Sequence, residues 1–555
     1  MTAEGSEVEA GSGPGSPGVR DVAVDGSSDG GRGGRGEAAA AGDAGLADAR
    51  EAAIAGLVGA GESARGDRFT IDVLGIPSLL LMERAALAVA HEVFARWRPG
   101  MRVEVLCGPG NNGGDGLAMA RQLHGWGVPV RAWLVMERHN AEVAEQLRMA
   151  RALGVSVAAG SPGEAADAAT IAVDALLGTG STGAPRGAIA AGVAWLGEAK
   201  GIVVAIDIPT GVDPDRGAVP GQAVRADLTV TMQASKPGLH ITPGRAHAGA
   251  VVVADIGLRR DPADAAGGVS LVGPRAVRRW LDGLPAGAHK GERGHVGVVG
   301  GSTGTPGAAV LAASAALRCG AGLVTVAASD PAVQALLVVH RPELMTQARV
   351  PGAPPVPAAG ALVVGPGLTR AEDRAGLGAL WSEDPRPAVW DASALVDIAA
   401  GSRAGGPRVI TPHPGEAAAL LERLGAGMGP ARAIQAERRR AAEALAERTG
   451  AVVVLKGEGT LVAEGGRLAI AVSGGPGLAT AGSGDCLTGF VAALLARGLG
   501  AWEAACAGVH LHGVAGELAV AGHPGAVALE VADLAGRAFA AAGDVHPRMP
   551  RLRRA

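Results

Sequence analysis

A glycine-rich loop meets a helical pattern between Gly474 and Gly498, and one carboxylate, Asp485, stands at the junction. The apolar residues that follow recur at the spacing of one buried helical face: Leu487, Phe490, Val491, Leu494 and Leu495. Free amide groups at the start of a buried helix bind anions, and glycines let a phosphate approach the backbone. Asp485 is placed to take a proton from a hydroxyl that attacks such a phosphate. The simpler alternative is a first-turn residue that stabilises the helix dipole.

A second polar, glycine-rich loop, GPGNNGGDG, follows a predicted strand in the first half of the chain. It contains G-x-G-x-x-G before a predicted helix at residues 117–124, which is a weak indication of dinucleotide phosphate binding. A dehydrogenase would also need an acidic residue after the second strand, where Glu137 fits only roughly. Asn111, Asn112 and Asp115 favour a site that hydrogen-bonds a ligand and coordinates a cation, with an Asn-Gly turn as the alternative.

Carboxylates end two further predicted strands in this half of the chain. Asp174 follows the strand that starts at Thr170 and precedes LLGTGSTG, whereas Asp207 follows residues 202–206 and precedes IPTGVD. The carboxyl ends of parallel strands, beside glycine-rich loops, are where doubly wound sheets bind ligands. Each aspartate alone could cap a helix, but three such strand ends together predict a shared pocket.

The second half repeats this pattern of buried strands that run into Gly- or Pro-rich polar loops, which predicts another α/β unit. The strands are predicted at residues 295–299, 323–327, 361–364, 389–390, 409–410 and 451–455. His413 stands between two prolines at one of these strand ends, with Glu416 close by. A ligand role and an ordinary turn histidine are equally good interpretations of His413.

Composition narrows the class of protein. The chain has 555 residues and 48% hydrophobic residues, so we expect more than one domain with a sizeable core. A net charge of -4 and 2% aromatic residues argue against nucleic-acid binding. Neither a signal peptide nor an uninterrupted apolar run of membrane length is evident, so we expect a cytoplasmic protein without a membrane partner. The four cysteines lack metal-site spacing and are predicted to be reduced thiols.

Two segments differ from the rest in composition. Residues 1–45 consist mainly of Gly, Ala, Ser and acidic residues, which cannot bury enough apolar surface to fold, so we expect a disordered tail. The stretch DPADAAGG at residues 261–268 has the composition of a linker. We therefore predict a first domain at residues 46–258, a linker at 259–268 and a second domain at 269–548.

Several ordered motifs resemble known families. The first half resembles the NAD(P)H-hydrate epimerases through PGNNGGDG, VDALLGTG, AIDIPTGVD and SKPG. The second half resembles the ADP-dependent NAD(P)H-hydrate dehydratases through KGERGHVGVVGGS, GAGLVTVA, VVGPGL, TPHPGE, LKGEGT and AGSGDCLTG. Their order is that of bifunctional bacterial repair enzymes. The resemblance implies two three-layer α/β/α domains, the first Rossmann-like and the second ribokinase-like.

The resemblance also implies a substrate. Reduced nicotinamide adds water across its 5,6 double bond, and the R and S hydrates of NADH and NADPH would be the substrates. The first half would interconvert R and S, and the second would dehydrate the S form at the expense of ADP, giving AMP and phosphate. We also expect a homo-oligomer. The alternative is a ribokinase-like kinase for a small alcohol, such as a vitamin precursor, fused to a non-catalytic nucleotide-binding module.

For the epimerase half, the resemblance implies catalysis by Asp207 and three sets of binding residues. Substrate would contact Asp207 and two loops: Asn111, Asn112, Gly113, Gly114 and Asp115, then Gly178, Thr179, Gly180, Ser181, Thr182, Gly183 and Ala184. A potassium ion would lie at Asn112, Asp174 and Thr210, whose oxygen atoms suit a hard cation. Thr210 stands where serine is usual, which keeps the hydroxyl group.

For the dehydratase half, the resemblance implies that Asp485 activates the hydrate hydroxyl. The amides of Gly482, Ser483 and Gly484 would hold the transferred phosphoryl group. ADP, with Mg²⁺, would contact Lys456, Gly457, Glu458, Gly459, Thr460 and Gly484, and the hydrate would contact Ala308, Gly367, His413 and Asp485. The chain departs from the usual pattern at Ser393, which replaces an aspartate, and at Gly475 and Ala481, which replace an asparagine and a glycine.

Overall fold

The buried apolar runs fold into two separate sheets in a computed structural model of the chain. The structure describes residues 56–261, 268–281, 289–521 and 525–541. The predicted tail at residues 1–45 and most of the predicted linker lie outside the described residues, as does the end of the predicted second domain. Both sheets belong to one compact unit, Ala52–Ala555, so the domain boundaries stay a prediction.

The first sheet is parallel throughout, which requires a crossover between successive strands. Its seven strands in the described residues are β1 (Arg102–Cys107), β2 (Val130–Leu134), β3 (Ser156–Ala159), β4 (Thr170–Ala175), β5 (Ile202–Ile206), β6 (Leu228–Met232) and β7 (Ala250–Ala254). They lie in the order β3-β2-β1-β4-β5-β6-β7. The strand order reverses between β1 and β4, and a ligand site is expected at the carboxyl end of these strands.

Helices cover both faces of this sheet. They are α1 (Ala60–Arg68), α2 (Ser78–Arg96), α3 (Asn111–Gly125), α4 (Ala141–Ala152), α5 (Gly187–Gly197) and α6 (Arg245–Ala248), and a π-helical turn (Phe69–Val73) extends α1. Alternate residues of each strand face opposite sides, so β1 contributes Val105 to one core and Leu106 to the other. The first core packs against α2, α3 and α4, and the second packs against α5. This confirms a three-layer α/β/α arrangement.

The second sheet has ten strands in the described residues. They are β8 (Val269–Val272), β9 (His295–Val299), β10 (Leu323–Ala328), β11 (Met345–Ala348), β12 (Ala361–Val364), β13 (Ala388–Trp390), β14 (Arg408–Ile410), β15 (Val452–Leu455), β16 (Leu461–Glu464) and β17 (Arg467–Ala471). Their order is β11-β10-β9-β12-β13-β14-β15-β16-β17-β8, and only the pairings of β16 are antiparallel. A parallel α/β core therefore carries one β-hairpin and, beyond it, the early strand β8.

The second sheet is also covered on both faces. Its helices are α7 (Pro274–Leu281), α8 (Pro306–Arg318), α9 (Pro331–His340), α10 (Leu377–Glu383), α11 (Pro414–Arg423), α12 (Ala431–Ala436), α13 (Arg438–Thr449), α14 (Ser483–Ala496), α15 (Ala501–Ala519), α16 (Ala528–Asp533) and α17 (Ala535–Ala541). The core on one face includes Phe490 of α14, and that on the other includes Leu445 of α13. Helix α14 packs closely on α8, because a Cβ added to Gly489 would lie 2.2 Å from the carbonyl oxygen of Ala312.

The four cysteines are unpaired and buried, as predicted: Cys107, Cys319, Cys486 and Cys506. Burial raises the pKa of the Cys107 and Cys319 thiols to about 12. Burial likewise raises the pKa of the other two thiols. Among the described helices, none has the length and apolar character needed to span a bilayer.

The two sheets are joined by direct contacts between loops. Residues 240–245 approach the loop after β15, where Thr242 donates its hydroxyl to the carbonyl oxygen of Glu458 at 3.3 Å. Arg245 lies 3.7 Å from the Glu458 carboxylate. Arg439 at the start of α13 donates to the carbonyl oxygen of Asp215 at 2.9 Å. The first sheet and its loops thus support the second sheet at the loop that contains Glu458.

Candidate active sites

The first candidate site is a cavity of about 500 Å³ at the carboxyl end of the first sheet. Of the residues predicted to bind substrate, Asn111, Asn112, Asp115, Gly178, Thr179, Gly180, Ser181 and Asp207 line it. Gly183 lies on a small neighbouring pocket, and Thr182 and Ala184 are exposed beside it. The carboxyl ends of β1, β4 and β5 therefore meet in one site, as the strand-end aspartates predict.

The start of α3 differs from the prediction. The helix begins at Asn111, whereas the sequence pattern predicts a loop here and a helix only from Leu117. Glycine and asparagine are poor helix formers, but close packing requires glycine at this place. A Cβ added to Gly113 would lie 2.0 Å from the carbonyl oxygen of Gly108. The Asn-Asn-Gly-Gly-Asp stretch is thus the first turn of a helix. The free backbone amides of that turn lie at the cavity.

Asp207 is held at the end of β5 by three polar groups. The Lys236 ammonium lies 2.8 Å from its carboxylate, Thr231 donates its hydroxyl at 3.2 Å, and the Thr179 amide donates at 3.2 Å. The φ of Asp207 is 66°, a conformation that non-glycine residues seldom adopt outside functional sites. Burial alone would raise the pKa of Asp207, but Lys236 and the hydrogen bonds outweigh burial and lower it. The carboxylate is therefore ionised at neutral pH.

Asp174 and Thr210 form a pair behind the cavity. The Thr210 hydroxyl and amide each donate to the Asp174 carboxylate at 2.8 Å, and Asp174 is fully buried. Burial raises the pKa of Asp174 to about 6, even though these hydrogen bonds lower it. Asn112 is 7% exposed, and its side-chain oxygen and nitrogen have no hydrogen-bond partner. Buried polar atoms of this kind usually have a partner, so an additional ligand is expected near Asn112.

Two residues of this site escape the sequence analysis as individual candidates. Asp67 lines the cavity from α1, which lies outside the sheet, and no periodicity or strand end marks it. Lys236 is 1% exposed and belongs to the SKPG segment, but the strand ends drew attention to carboxylates rather than to a lysine. The sequence does carry a signal for Lys236, which is the one Lys, Arg, Asp or Glu in residues 228–244, because a lone charge that is buried needs a partner.

The second candidate site lies at the start of α14. Lys456, at the end of β15, places its ammonium 2.8 Å from Asp391 and 3.7 Å from Glu416. Burial, together with Asp391 and Glu416, raises the pKa of Asp485 to about 7, although Lys456 opposes the rise. The Lys456 pKa is itself raised because Asp391 and Glu416 outweigh its burial. Asp485 thus exchanges its proton near neutral pH in a cluster of charged groups.

The amide-bearing end of α14 faces this cluster. Gly482 has a φ of 84° and precedes the first helical residue, Ser483. A Cβ added to Gly484 would lie 3.2 Å from the Lys456 ammonium, so the helix start and the lysine are adjacent. The buried Ser483 hydroxyl is 3.2 Å from a ring nitrogen of His512, and burial lowers the pKa of that histidine to about 4. The site therefore combines free amides, an ammonium and a titratable carboxyl group.

The predicted nucleotide-binding loop at residues 456–460 is held from behind by Arg438. Its buried guanidinium donates to three carbonyl oxygens: Leu455 at 3.1 Å, Lys456 at 3.2 Å and Gly459 at 3.3 Å. Gly457 has a φ of 136°, and a Cβ there would lie 2.5 Å from Arg438. The arginine thus fixes the shape of the loop without facing the site.

His413 occupies a capping position. Its Nδ1 accepts hydrogen bonds from the amides of Gly415 at 3.0 Å and Glu416 at 3.3 Å, at the start of α11. Glu416 in turn accepts from the His413 amide at 2.8 Å. The ring is exposed, and its Nε2 lies 3.5 Å from Glu416. Capping thus occupies Nδ1, whereas Nε2 lies beside Glu416 on an exposed ring.

Gly367 and Ala308 are brought together, because a Cβ on Gly367 would lie 3.2 Å from that of Ala308. The Thr305 hydroxyl also donates to the Gly367 carbonyl at 2.8 Å. Asp391 escapes the sequence analysis as a site residue, although a strand end marks it. The resemblance singles out Ser393 instead, as a position where an aspartate is usual, and Ser393 is part of a short 3₁₀ helix (Ala392–Asp397). The described residues contain no group of three His, Cys, Asp or Glu side chains arranged to hold a metal ion.

Comparisons with known proteins cover both sites. The family profile of the YjeF-related protein N-terminus matches residues 78–238, and the NAD(P)H-hydrate dehydratase profile matches residues 296–535. The chain is 37% identical over 505 residues to the bifunctional NAD(P)H-hydrate repair enzyme Nnr of Moorella thermoacetica, a match that spans 83% of this chain and 92% of the relative. The Nnr of Escherichia coli is 36% identical over 472 residues, which span 83% of this chain and 89% of the relative.

A solved structure resembles about half of the chain. It is an ADP/ATP-dependent NAD(P)H-hydrate dehydratase from Bacillus subtilis, co-crystallised with ATP and Mg²⁺. The sequences are 30% identical, and the match covers 49% of this chain and 98% of the Bacillus protein. The TM-score is 0.45.

Proposed function

The chain belongs to the bifunctional NAD(P)H-hydrate repair enzymes, and we propose that it restores hydrated NADH and NADPH in two reactions. The cavity of the first sheet interconverts the R and S hydrates. The site at the start of α14 dehydrates the S hydrate at the expense of ADP and releases AMP and phosphate. The charged cluster of Asp485, Lys456 and Asp391 at the amide end of α14 is the observation that carries this proposal.

In the dehydratase site, Asp485 removes the proton of the hydrate hydroxyl, whose oxygen attacks the terminal phosphorus of ADP. A carboxyl group with a pKa of about 7 is a suitable base near neutral pH. Lys456 and the amides of Gly482, Ser483 and Gly484 stabilise the charge of the transferred phosphoryl group. Loss of phosphate breaks the C–O bond, and loss of a proton from the neighbouring carbon restores the 5,6 double bond. Phosphorylation thus turns a poor leaving group into a good one.

Substrate and nucleotide occupy opposite sides of this cluster in the proposal. ADP lies on residues 456–460 and Gly484, and the hydrate lies against Ala308, Gly367, His413 and Asp485. Because no carboxylate cage for a metal is found in the described ranges, we propose that Mg²⁺ arrives with ADP, held mainly by phosphate oxygens and water. The ion would neutralise phosphate charge during transfer.

In the epimerase site, Asp207 assists loss of the hydroxyl, or ring opening, at the hydrated carbon. The substrate contacts residues 111–115 and 178–184. We propose potassium at Asn112, Asp174 and Thr210. The side-chain oxygen of Asn112 is buried without a partner, and Asp174 and Thr210 supply carboxylate and hydroxyl oxygens of the type that hard cations accept. The ion would orient the Asn112 side chain at the start of α3.

The restoration of reduced nicotinamide tests this function. The full chain is incubated with separated S and R hydrates of NADH, together with ADP and Mg²⁺, and absorbance of the reduced ring is followed. We expect its return from both hydrates. If the absorbance returns from the S hydrate alone, the epimerase assignment is wrong. If it returns from neither hydrate, the whole proposal is wrong.

The second function that the sequence allows, a small-alcohol kinase fused to a binding module, is not favoured, because the relatives that match most of the chain are repair enzymes. We further propose domains at residues 46–258 and 269–548, joined by a linker at 259–268, and a homo-oligomeric assembly. Limited proteolysis and light scattering of the full chain test these two proposals.

A further inference from the structure

Three carboxyl groups line the cavity of the first sheet: those of Asp67, Asp115 and Asp207. Lys236 lies behind Asp207, at 2.8 Å from its carboxylate. The function proposed above uses Asp115 and Asp207 but assigns nothing to Asp67. Asp67 is partly buried, lines the site and forms no salt bridge with another described residue, so its place there requires an explanation.

Helix α1 holds Asp67 in the cavity wall. Residues at one helical spacing of α1, namely Ala60, Ser63, Ala64 and Asp67, all line the cavity. The helix start is anchored because the Ala60 amide donates to Asp215 at 2.8 Å. Beyond its end, the Arg259 amide donates to the Thr70 hydroxyl at 2.8 Å. Asp67 therefore faces the cavity from a fixed element rather than from a loose end of the chain.

Asp67 and Asp207 approach the cavity from different walls. Asp207 follows β5 directly, whereas Asp67 belongs to helix α1, and both line the cavity. Conversion of R to S exchanges the hydroxyl between the two faces of one carbon atom. Acid and base groups on different walls suit this reaction, because one face must release the hydroxyl while the other receives water.

The charged groups around Asp67 are Asp115, Asp207 and Lys236 on three other parts of the chain, and Arg68 on its own helix. Burial raises the pKa of Asp67 and the Asp207 carboxylate raises it further, whereas Lys236 and the adjacent Arg68 lower it. Asp67 and Asp207 together add to the rise in the pKa of Asp115 that burial causes. The net shift of Asp67 is upward and that of Asp207 is downward. Two carboxyl groups whose pKa values are shifted in opposite directions are suited to act as an acid and a base.

We propose that Asp67 is a catalytic general acid of the epimerisation. This inference rests on the proposed function of the cavity. Asp67 gives its proton to the hydroxyl of the hydrated carbon, the C–O bond breaks toward oxygen, and water leaves as the ring nitrogen lone pair forms a C=N bond. Water then adds to the opposite face, the C=N electrons return to nitrogen, and Asp207 takes the released proton. Exchange with solvent returns one proton from Asp207 to Asp67 and closes the cycle.

The test uses the full chain and the purified R hydrate without ADP, so that the dehydratase site is idle. Formation of the S hydrate is followed by chromatography across pH for the wild type, Asp67→Asn, Asp67→Glu and Asp72→Asn. Asp72 is an exposed carboxylate on the turn that follows α1 and serves as the matched control. We expect a loss of about 100-fold or more in Asp67→Asn, partial recovery in Asp67→Glu and no change in Asp72→Asn.

The pH profile separates catalysis from a structural role. The wild-type rate should decline on the alkaline side as Asp67 loses its proton, and Asp67→Asn should lack that decline while its dehydratase activity on the S hydrate persists. A wild-type profile without the decline overturns the proposal without any variant. A decline that disappears in Asp115→Asn instead of Asp67→Asn also overturns it. A wild-type chain that never converts R to S contradicts the proposed function instead.

Discussion

The two candidate sites use carboxyl groups in opposite electrostatic settings. Asp207 is buried against a lysine that lowers its pKa, whereas Asp485 lies near Asp391 and Glu416, which add to the rise caused by burial. One fold class thus supplies an ionised carboxylate to one reaction and a carboxyl group that titrates near neutrality to the other. The difference comes from the charges of the neighbouring groups, not from the aspartate itself.

The pKa of Asp485 predicts the pH dependence of the dehydratase. A base acts only when deprotonated, so the turnover rate should rise with pH through about 7 and level off above it. Asp485→Asn should lower turnover by about 10²- to 10⁴-fold and leave ADP binding in place. Steady-state rates across pH and calorimetric ADP titration measure both. Glu447→Gln, at an exposed position on α13, is the control; loss of ADP binding in Asp485→Asn would instead indicate a structural role.

Removal of the Lys236 charge should raise the pKa of Asp207, because burial then acts without the lysine that opposes it. The Lys236→Gln variant lacks the ammonium that lowers the Asp207 pKa, but Asp207 stays buried. Its carboxylate therefore forms only at higher pH. We expect epimerisation at pH 7 to fall by about 10- to 100-fold and to recover partly as pH rises. The exposed Lys200→Gln provides the control, and conversion of the R hydrate to the S hydrate is the measurement. A uniform loss at every pH would contradict the assigned role.

The elements that bring these residues together are the starts of α3 and α14 and the helix α1. The sequence predicts α14 well because five apolar residues repeat at helical spacing behind GSGD. It fails at α3, since the low helix propensity of Asn-Asn-Gly-Gly hides a tight contact with Gly108, just after β1. The position of α1 over the sheet edge depends on contacts with Asp215 and Arg259, distant in the chain, so local patterns could not predict Asp67. The same holds for β8, which pairs with β17.

The tight start of α3 gives a matched pair of glycine substitutions. Gly113→Ala would place a methyl group 2.0 Å from the Gly108 carbonyl oxygen, so we expect a loss of about 1–3 kcal/mol of stability and of epimerase activity. Gly125→Ala, at the far end of the same helix, meets nothing within 4 Å and should keep or slightly raise stability. Thermal unfolding and R-to-S conversion measure both. Equal effects of the two substitutions would contradict the close contact.

At the scale of the molecule, residues 236–245 connect the two sites. Lys236 contacts Asp207 in the first, and Thr242 and Arg245 contact Glu458 beside the second. A Cβ on Gly459 would lie 2.8 Å from the carbonyl oxygen of His240, so this loop packs directly on the segment. The proposed nucleotide loop is therefore supported from behind by Arg438 and from the side by the first half of the chain.

Loss of this side support should weaken nucleotide binding. Arg245→Ala removes the contact with the exposed Glu458, which is worth at most about 1 kcal/mol, so we expect the KM for ADP to rise by up to about fivefold with kcat unchanged. Epimerisation should not change. Arg216→Ala, at an exposed position in the same half, is the control for loss of an arginine. An unchanged KM in Arg245→Ala would contradict a role of Arg245 in shaping the nucleotide loop.

The four buried cysteines give the folded protein resistance to thiol chemistry. The thiolate is the reactive form, and pKa values of about 12 at Cys107 and Cys319 leave almost none of it at neutral pH. Alkylating agents and mild oxidants should therefore leave the native enzyme active under conditions that damage exposed thiols. Cys486 follows Asp485 directly in the chain and is covered by α16, where it donates to the Ala528 carbonyl at 3.2 Å. Its rate of alkylation would thus report how often α16 separates from α14.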